Sequence, residues 1–228
     1  MTTFFKQYGV RRTGTNALRA LLALNCPDAV VLMHLLGDKH SPPSPELVAL
    51  IANRDTTWSL ALDHVLAATF ERSTMAINPH SFEPVEYGRL HAHEVVKAIA
   101  KQEFGYLISI RDSYIWASSL FRFLHWPPND TLSSIQLAAS CTVLDHLCRD
   151  YNRCYRAWFA LQDITTNLVV VRQEDLVIDP EAVIGIIADR FQLHQHNPWR
   201  PLLGQIQATW WDYMPMVTAI DSHNAVYA

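Results

Sequence analysis

Two glycines five residues apart frame the segment Gly9-Val10-Arg11-Arg12-Thr13-Gly14-Thr15-Asn16, which follows an aromatic, strand-like run and precedes a strongly apolar, helix-like one. A loop of this kind turns several backbone N–H groups toward one point and adds the positive end of a helix dipole, so its chemistry is the binding of a phosphate or sulfate group. Arg11 and Arg12 bring planar guanidinium forks to the same place. A nucleoside triphosphatase loop continues Gly-Lys-Ser/Thr; here Thr15 follows Gly14, so the lysine that spans the terminal phosphates is missing. Kinase or ATPase chemistry is disfavoured on that ground. The plain alternative is a strand-to-helix turn with glycine for tightness.

Other polar groups close later apolar runs. Lys39-His40 follows the β-branched run 29–36 after Gly37-Asp38, Arg111-Asp112 closes 106–110 with Ser119 eight residues beyond Arg111, and Arg172-Gln173-Glu174-Asp175 closes 167–171. His40 is the candidate general base, because an imidazole accepts protons near neutral pH and this one stands at the same strand edge as the anion loop. His91, His93 and the carboxylate of Glu46 are its rivals, and a solvated loop histidine is the plain alternative. For Arg111-Asp112 the plain alternative is a local ion pair. His194-x-His196 has no Cys or acid at ligand spacing, so no metal site is expected.

These groups need a scaffold that brings strand ends together. Strand character over 3–8, 29–36, 106–110 and 167–171 alternates with helical patterning over 17–24, 46–53, 60–71, 91–102 and 132–161, and Asp179-Pro180-Glu181 has the cap, first-turn proline and acid of one more helix start. Such alternation predicts an α/β single domain, a central parallel sheet flanked by helices, with ligands bound beyond the carboxyl ends of the strands. The domain is expected to span 1–228, with the aromatic stretch 192–228 (Trp199, Trp210, Trp211, Tyr213) as a C-terminal cover.

Composition bounds the rest. Of 228 residues, 50% are hydrophobic and 18% charged, which is too apolar for a disordered chain. A net charge of −4 provides no global positive field, so neither nucleic acid nor an anionic membrane is an expected partner. Arginine nonetheless outnumbers lysine 14 to 4, which suits local recognition of phosphate or sulfate oxygens. No apolar run reaches the roughly 18 residues of a membrane span. Cys26, Cys141, Cys148 and Cys154 lack CxxC spacing and read as reduced core thiols, so a soluble cytoplasmic protein is expected.

The segment from Arg12 to Thr15 resembles the 5'-phosphosulfate loop of the P-loop-like sulfotransferase family that uses 3'-phosphoadenosine 5'-phosphosulfate (PAPS), with Arg12 where that family usually has lysine. Arg111 and Ser119 match its second signature, an arginine at a strand end and a serine eight residues on, and Arg172-Gln173-Glu174-Asp175-Leu176 is similar to its late Glu-Asp-Leu segment. No Arg-Lys-Gly segment of the kind many members carry stands near the C-terminus. The resemblance implies PAPS as co-substrate, held by Arg11, Arg12, Thr13, Gly14, Thr15, Asn16, Arg111 and Ser119, and sulfuryl transfer to a hydroxyl or amine of a small-molecule or carbohydrate acceptor. It implies a His or Glu base, the role read here for His40, and on this reading Arg12 and Lys39 carry the developing charge. Trp116, Phe121, Phe123, His125 and Trp126 either line an acceptor pocket or pack in the core. The alternatives are a nucleotide or small-molecule kinase with an altered phosphate loop and a catalytically silent nucleotide-binding scaffold.

Overall fold

The computed structural model describes residues 2–32, 38–43, 45–53, 95, 97–99, 101–124 and 134–202. Strand β1 (Thr3–Tyr8) is buried from Phe4 onward, as a strand covered on both faces must be. The chain then forms helix α1 (Thr15–Asn25), strand β2 (Ala29–Leu32) and helix α2 (Pro45–Asn53). Strand β3 (Gly105–Ile110) leads into α3 (Ser113–Leu124) and the 26-residue α4 (Ser134–Phe159), which ends in a 3-10 turn, Ala160–Asp163. Strand β4 (Leu168–Arg172), α5 (Gln173–Ile178) and α6 (Pro180–Phe191) follow.

All strand pairs are parallel, and the four strands lie in the order β2-β1-β3-β4. The protein is therefore an α/β fold with a parallel sheet and helices on both faces. β2 lies on one side of β1 and β3 on the other, so the chain reverses its direction of travel across the sheet between β1 and β3. In open parallel sheets the carboxyl edge at such a reversal is the usual place for a ligand. Residues 9–14 and 111–112 lie at that edge.

The faces carry separate cores. On one, Phe5 and Leu107 of the sheet pack with Leu18, Leu21 and Leu22 of α1, Leu176 of α5 and Ile184 and Ile187 of α6. On the other, Phe4, Tyr8, Tyr106 and Ile108 pack with Trp116 and Leu120 of α3 and Tyr155 and Trp158 of α4. Each Leu or Ile fully buried in this way contributes roughly 1.5–3 kcal/mol.

Several elements match the sequence reading, and the differences have physical causes. The expected strand 29–36 is a strand over Ala29–Leu32, and 33–37 lies outside the described residues, as do 60–71 and the histidines His91 and His93. α5 begins immediately after β4, at residues expected to form a polar strand end. Six residues are too short to show helical periodicity, although Glu174 and Asp175 in its first turn suit the dipole. Asp112 is the cap of α3, its Oδ1 accepting from the N–H groups of Tyr114 and Ile115 at 3.0 and 3.1 Å. Asp179 caps α6 as expected, accepting from Ala182 N–H at 3.0 Å. Of the C-terminal stretch, 192–202 is described: it clasps Asn25 at the end of α1 through Arg200 and the His196 N–H.

Candidate active site at the carboxyl edge

The loop after β1 is held in an unusual backbone shape. Arg12 has φ 71° and Gly14 φ 77°, both in the left-handed region. For a residue with a Cβ, this costs about 1–2 kcal/mol, so the surroundings must impose it at Arg12. They do: Arg12 Nε donates to Ser119 Oγ at 3.3 Å, and Arg111 Nη1 donates to the Arg12 carbonyl at 3.2 Å. Gly14 has no Cβ to spare, because one would stand 2.8 Å from Cγ of Gln173. A Cβ on Gly9 would meet Thr13 Oγ1 at 2.8 Å and the Ser109 carbonyl at 2.9 Å, so the loop lies tightly over the end of β3.

α1 starts from this loop with Gly14 as its cap, no side-chain cap bond and no acid in its first turn. Its first N–H groups have no helical acceptor, and the positive end of the dipole lies at the carboxyl edge of the sheet. α3 and α6, by contrast, are capped by Asp112 and Asp179. An anion at α1 meets no carboxylate from the helix itself.

The residues of the predicted loop and strand ends are among those described. Arg11 is exposed, and its carbonyl accepts from Trp116 Nε1 at 2.8 Å. Thr13 is buried and donates its hydroxyl to the Val10 carbonyl at 2.7 Å, so its side chain shapes the loop rather than facing a ligand. Thr15 is buried, its carbonyl accepting from Gln7 Nε2 at 2.9 Å. Asn16 Oδ1 accepts from Lys39 Nζ at 2.8 Å, which brings a buried cation from the loop after β2 to the first turn of α1. Arg111 Nε is shielded from solvent and has no hydrogen-bond partner among the described residues. It is donor capacity of the kind a phosphate oxygen uses.

His40 sits against the anion loop. Its Nδ1 lies 2.5 Å from the Gly9 carbonyl, and the Lys39 carbonyl accepts from Gly9 N–H at 2.9 Å, tying the two loops together. A carbonyl only accepts, so Nδ1 carries the hydrogen and Nε2 keeps its lone pair. Burial, and next the Lys39 charge, lower the His40 pKa to about 4, against raising contributions from the Gly9 contact and Asp38. The ring is neutral at pH 7 and able to accept a proton.

The third segment also reaches the site. Glu174 Oε1 of α5 accepts from the Asp112 N–H at 2.9 Å, joining the end of β4 to the end of β3. Trp116 is a core residue, buried with its ring 4.5 Å from Tyr151. The side chains of Glu46, Phe121 and Phe123, and all of His125 and Trp126, lie outside what is described. The rings of His194 and His196 stand 6.4 Å apart, and among the described residues no three His, Cys, Asp or Glu side chains gather around one point. No helix among the described residues is long and apolar enough to cross a membrane.

Sequence reasoning missed the support beneath the site. Along α4, Tyr151 OH donates to the Arg111 carbonyl at 2.9 Å, Cys154 Sγ to the His40 carbonyl at 3.7 Å, Tyr155 OH to the Ser109 carbonyl at 2.6 Å, and Trp158 Nε1 to the Ser41 carbonyl at 2.9 Å. The signal was available: these positions are spaced i, i+3, i+4 and i+7, one helical face, and every side chain on it carries a donor.

Fold and site together define an open parallel α/β protein with a candidate anion site, rich in arginine, at its switch point. No protein-family model and no curated protein matches the chain. Among solved structures it is similar to the sulfotransferase domain of the olefin synthase of Synechococcus PCC 7002, at 17% identity and a TM-score of 0.40, over 88% of this chain and 78% of that one. The fold assignment rests on the strand order observed here.

Proposed function

We propose that the chain is a sulfotransferase of the P-loop-like type, transferring a sulfuryl group from PAPS to a hydroxyl or amine of a small-molecule or carbohydrate acceptor. The observation that carries this reading is the meeting of Arg12, Arg111 and Ser119: two motifs about a hundred residues apart in sequence come within hydrogen-bond distance of each other. In this reading the N–H groups from Arg12 to Asn16 and the Arg12 guanidinium hold the 5'-phosphosulfate, while Arg111 and Ser119 take the 3'-phosphate through one charged and one neutral donor. The unmatched Nε of Arg111 fits that role.

The acceptor oxygen attacks sulfur, the bond from sulfur to the bridging oxygen breaks, and its electron pair goes to the 5'-phosphate. Arg12 and Lys39 stabilise the charge that develops there, Lys39 supplying an ammonium where this loop has arginine in place of lysine. His40 takes the acceptor's proton at Nε2. The free thiols Cys26, Cys148 and Cys154 suit work in a reducing cytoplasm.

The test is ligand discrimination followed by turnover. 3'-Phosphoadenosine 5'-phosphate should raise the melting temperature more than ATP, because a ligand held only by the folded state shifts unfolding by mass action. Labelled PAPS should then transfer its sulfuryl group in a screen of hydroxyl and amine acceptors. Equal stabilisation by ATP would sink the 3'-phosphate assignment, and binding without transfer would favour a silent scaffold.

A further inference from the structure

α4 packs against the sheet through Tyr151, Cys154, Tyr155 and Trp158, while its outer face carries the exposed pairs Asp145–Arg149 and Asp150–Arg153. The inner donors all end on main-chain carbonyls of site loops: Arg111 and Ser109 at the end of β3, and His40 and Ser41 after β2. Trp116 of α3 adds the Arg11 carbonyl of the loop after β1, and its ring packs on Tyr151. Each of these carbonyls belongs to, or lies within two residues of, a group that the sulfotransferase reading uses.

We infer that Tyr151, Cys154, Tyr155 and Trp158 are positioning residues, which fix Arg111 relative to His40 by gripping the backbone of both loops from a single rigid helix. The inference rests on the proposed function and adds to it the element that sets the distance between the 3'-phosphate clamp and the base. The chemistry of the donors agrees. Burial raises the pKa values of Tyr151, Cys154 and Tyr155, so all three keep their hydrogens throughout the neutral range. Aliphatic residues would fill the same volume, but they have no donors and could not fix a carbonyl.

The test is Tyr151→Phe, which keeps the ring and removes the hydroxyl that reaches the Arg111 carbonyl. The readout is the ratio of the dissociation constant of adenosine 5'-phosphate to that of 3'-phosphoadenosine 5'-phosphate, by calorimetry. General damage weakens both ligands and leaves the ratio alone, whereas a displaced Arg111 lowers it. A fall of roughly 3- to 10-fold is expected, the usual worth of a net hydrogen bond. Tyr155→Phe, which frees the Ser109 carbonyl, should lower the ratio likewise and serves if Tyr151→Phe does not fold. Arg111→Ala in the same assay separates the two levels of the argument. A ratio that collapses in Arg111→Ala but is unchanged in the folded tyrosine variants overturns the positioning role alone. A ratio unchanged in Arg111→Ala removes the 3'-phosphate site and this inference with it.

Discussion

The two faces of the sheet are filled by different chemistry. Under α1, α5 and α6 the core is mainly aliphatic, with Leu18, Leu21, Leu22, Ile184 and Ile187, and its aromatic pair Phe5–Phe191 meets edge to face at 4.8 Å. Under α3 and α4 it is aromatic, with Tyr8 stacked on Trp158 at 5.7 Å and Tyr155 at 4.4 Å from Tyr151 and 4.9 Å from Trp158. Both exclude water. Tyr151, Tyr155, Trp158 and Trp116 do so while pointing a polar tip in a chosen direction, and these tips end at the loops that carry the candidate chemistry. The lesson is a division of work: one face supplies cohesion, and the other supplies cohesion together with placement.

The largest expected effect lies at the loops served by the aromatic face. His40→Ala should reduce turnover by roughly 10²–10⁴-fold, the usual contribution of general acid–base catalysis, with nucleotide affinity nearly intact. Steady-state kinetics beside a binding isotherm check this, and near-normal turnover would return His40 to a structural role. The opposite pattern is expected across the sheet. Leu22→Ala, at a fully buried position, should cost about 2–5 kcal/mol of stability, read from denaturant midpoints, while the folded fraction binds nucleotide normally. A Leu22→Ala protein that is stable but fails to bind would erase the distinction between the faces.

The smallest effect is a shift along the pH axis. His40 titrates near 4 in the folded chain against 6.5 unperturbed, so between these values the unfolded state binds more protons. Stability should therefore fall as the pH drops from 6.5 toward 4, and His40→Asn should lose that component of the slope. In kinetics, kcat/KM should hold level on the acid side until about pH 5. Because a bound phosphosulfate is anionic, the acid limb of kcat should lie at higher pH than that of kcat/KM. Coincident limbs would show that the titrating group does not feel the nucleotide.

The parts legible in the sequence were those in which a residue type reports its own environment. β1 and β3 are apolar runs with abrupt polar ends, and Arg111 and Ser119 lie, as the sequence placed them, at a strand end and on the helix that follows it. Asp179-Pro180-Glu181 announced α6. The grip of α4 was legible only in part: Cys154 read as a core thiol, and the donors at helical spacing on Tyr151, Tyr155 and Trp158 do not reveal what they bind. Their acceptors are main-chain carbonyls, identical in every residue, and only the fold says which ones lie within reach. Asp112 shows a related limit: the plain alternative made it the charge partner of Arg111, while its Oδ1 accepts from two N–H groups of α3.

The single helix behind the site has a mechanical consequence. Loops that leave three different strands would ordinarily drift independently, and small displacements of each would add up in the gaps between them. Here the backbones at residues 40–41, 109 and 111 are referenced to one rod, and Trp116, braced on Tyr151, adds residue 11. A rod so placed would carry them in concert under thermal motion, so that the spacings among the loops would fluctuate less than the position of the group as a whole.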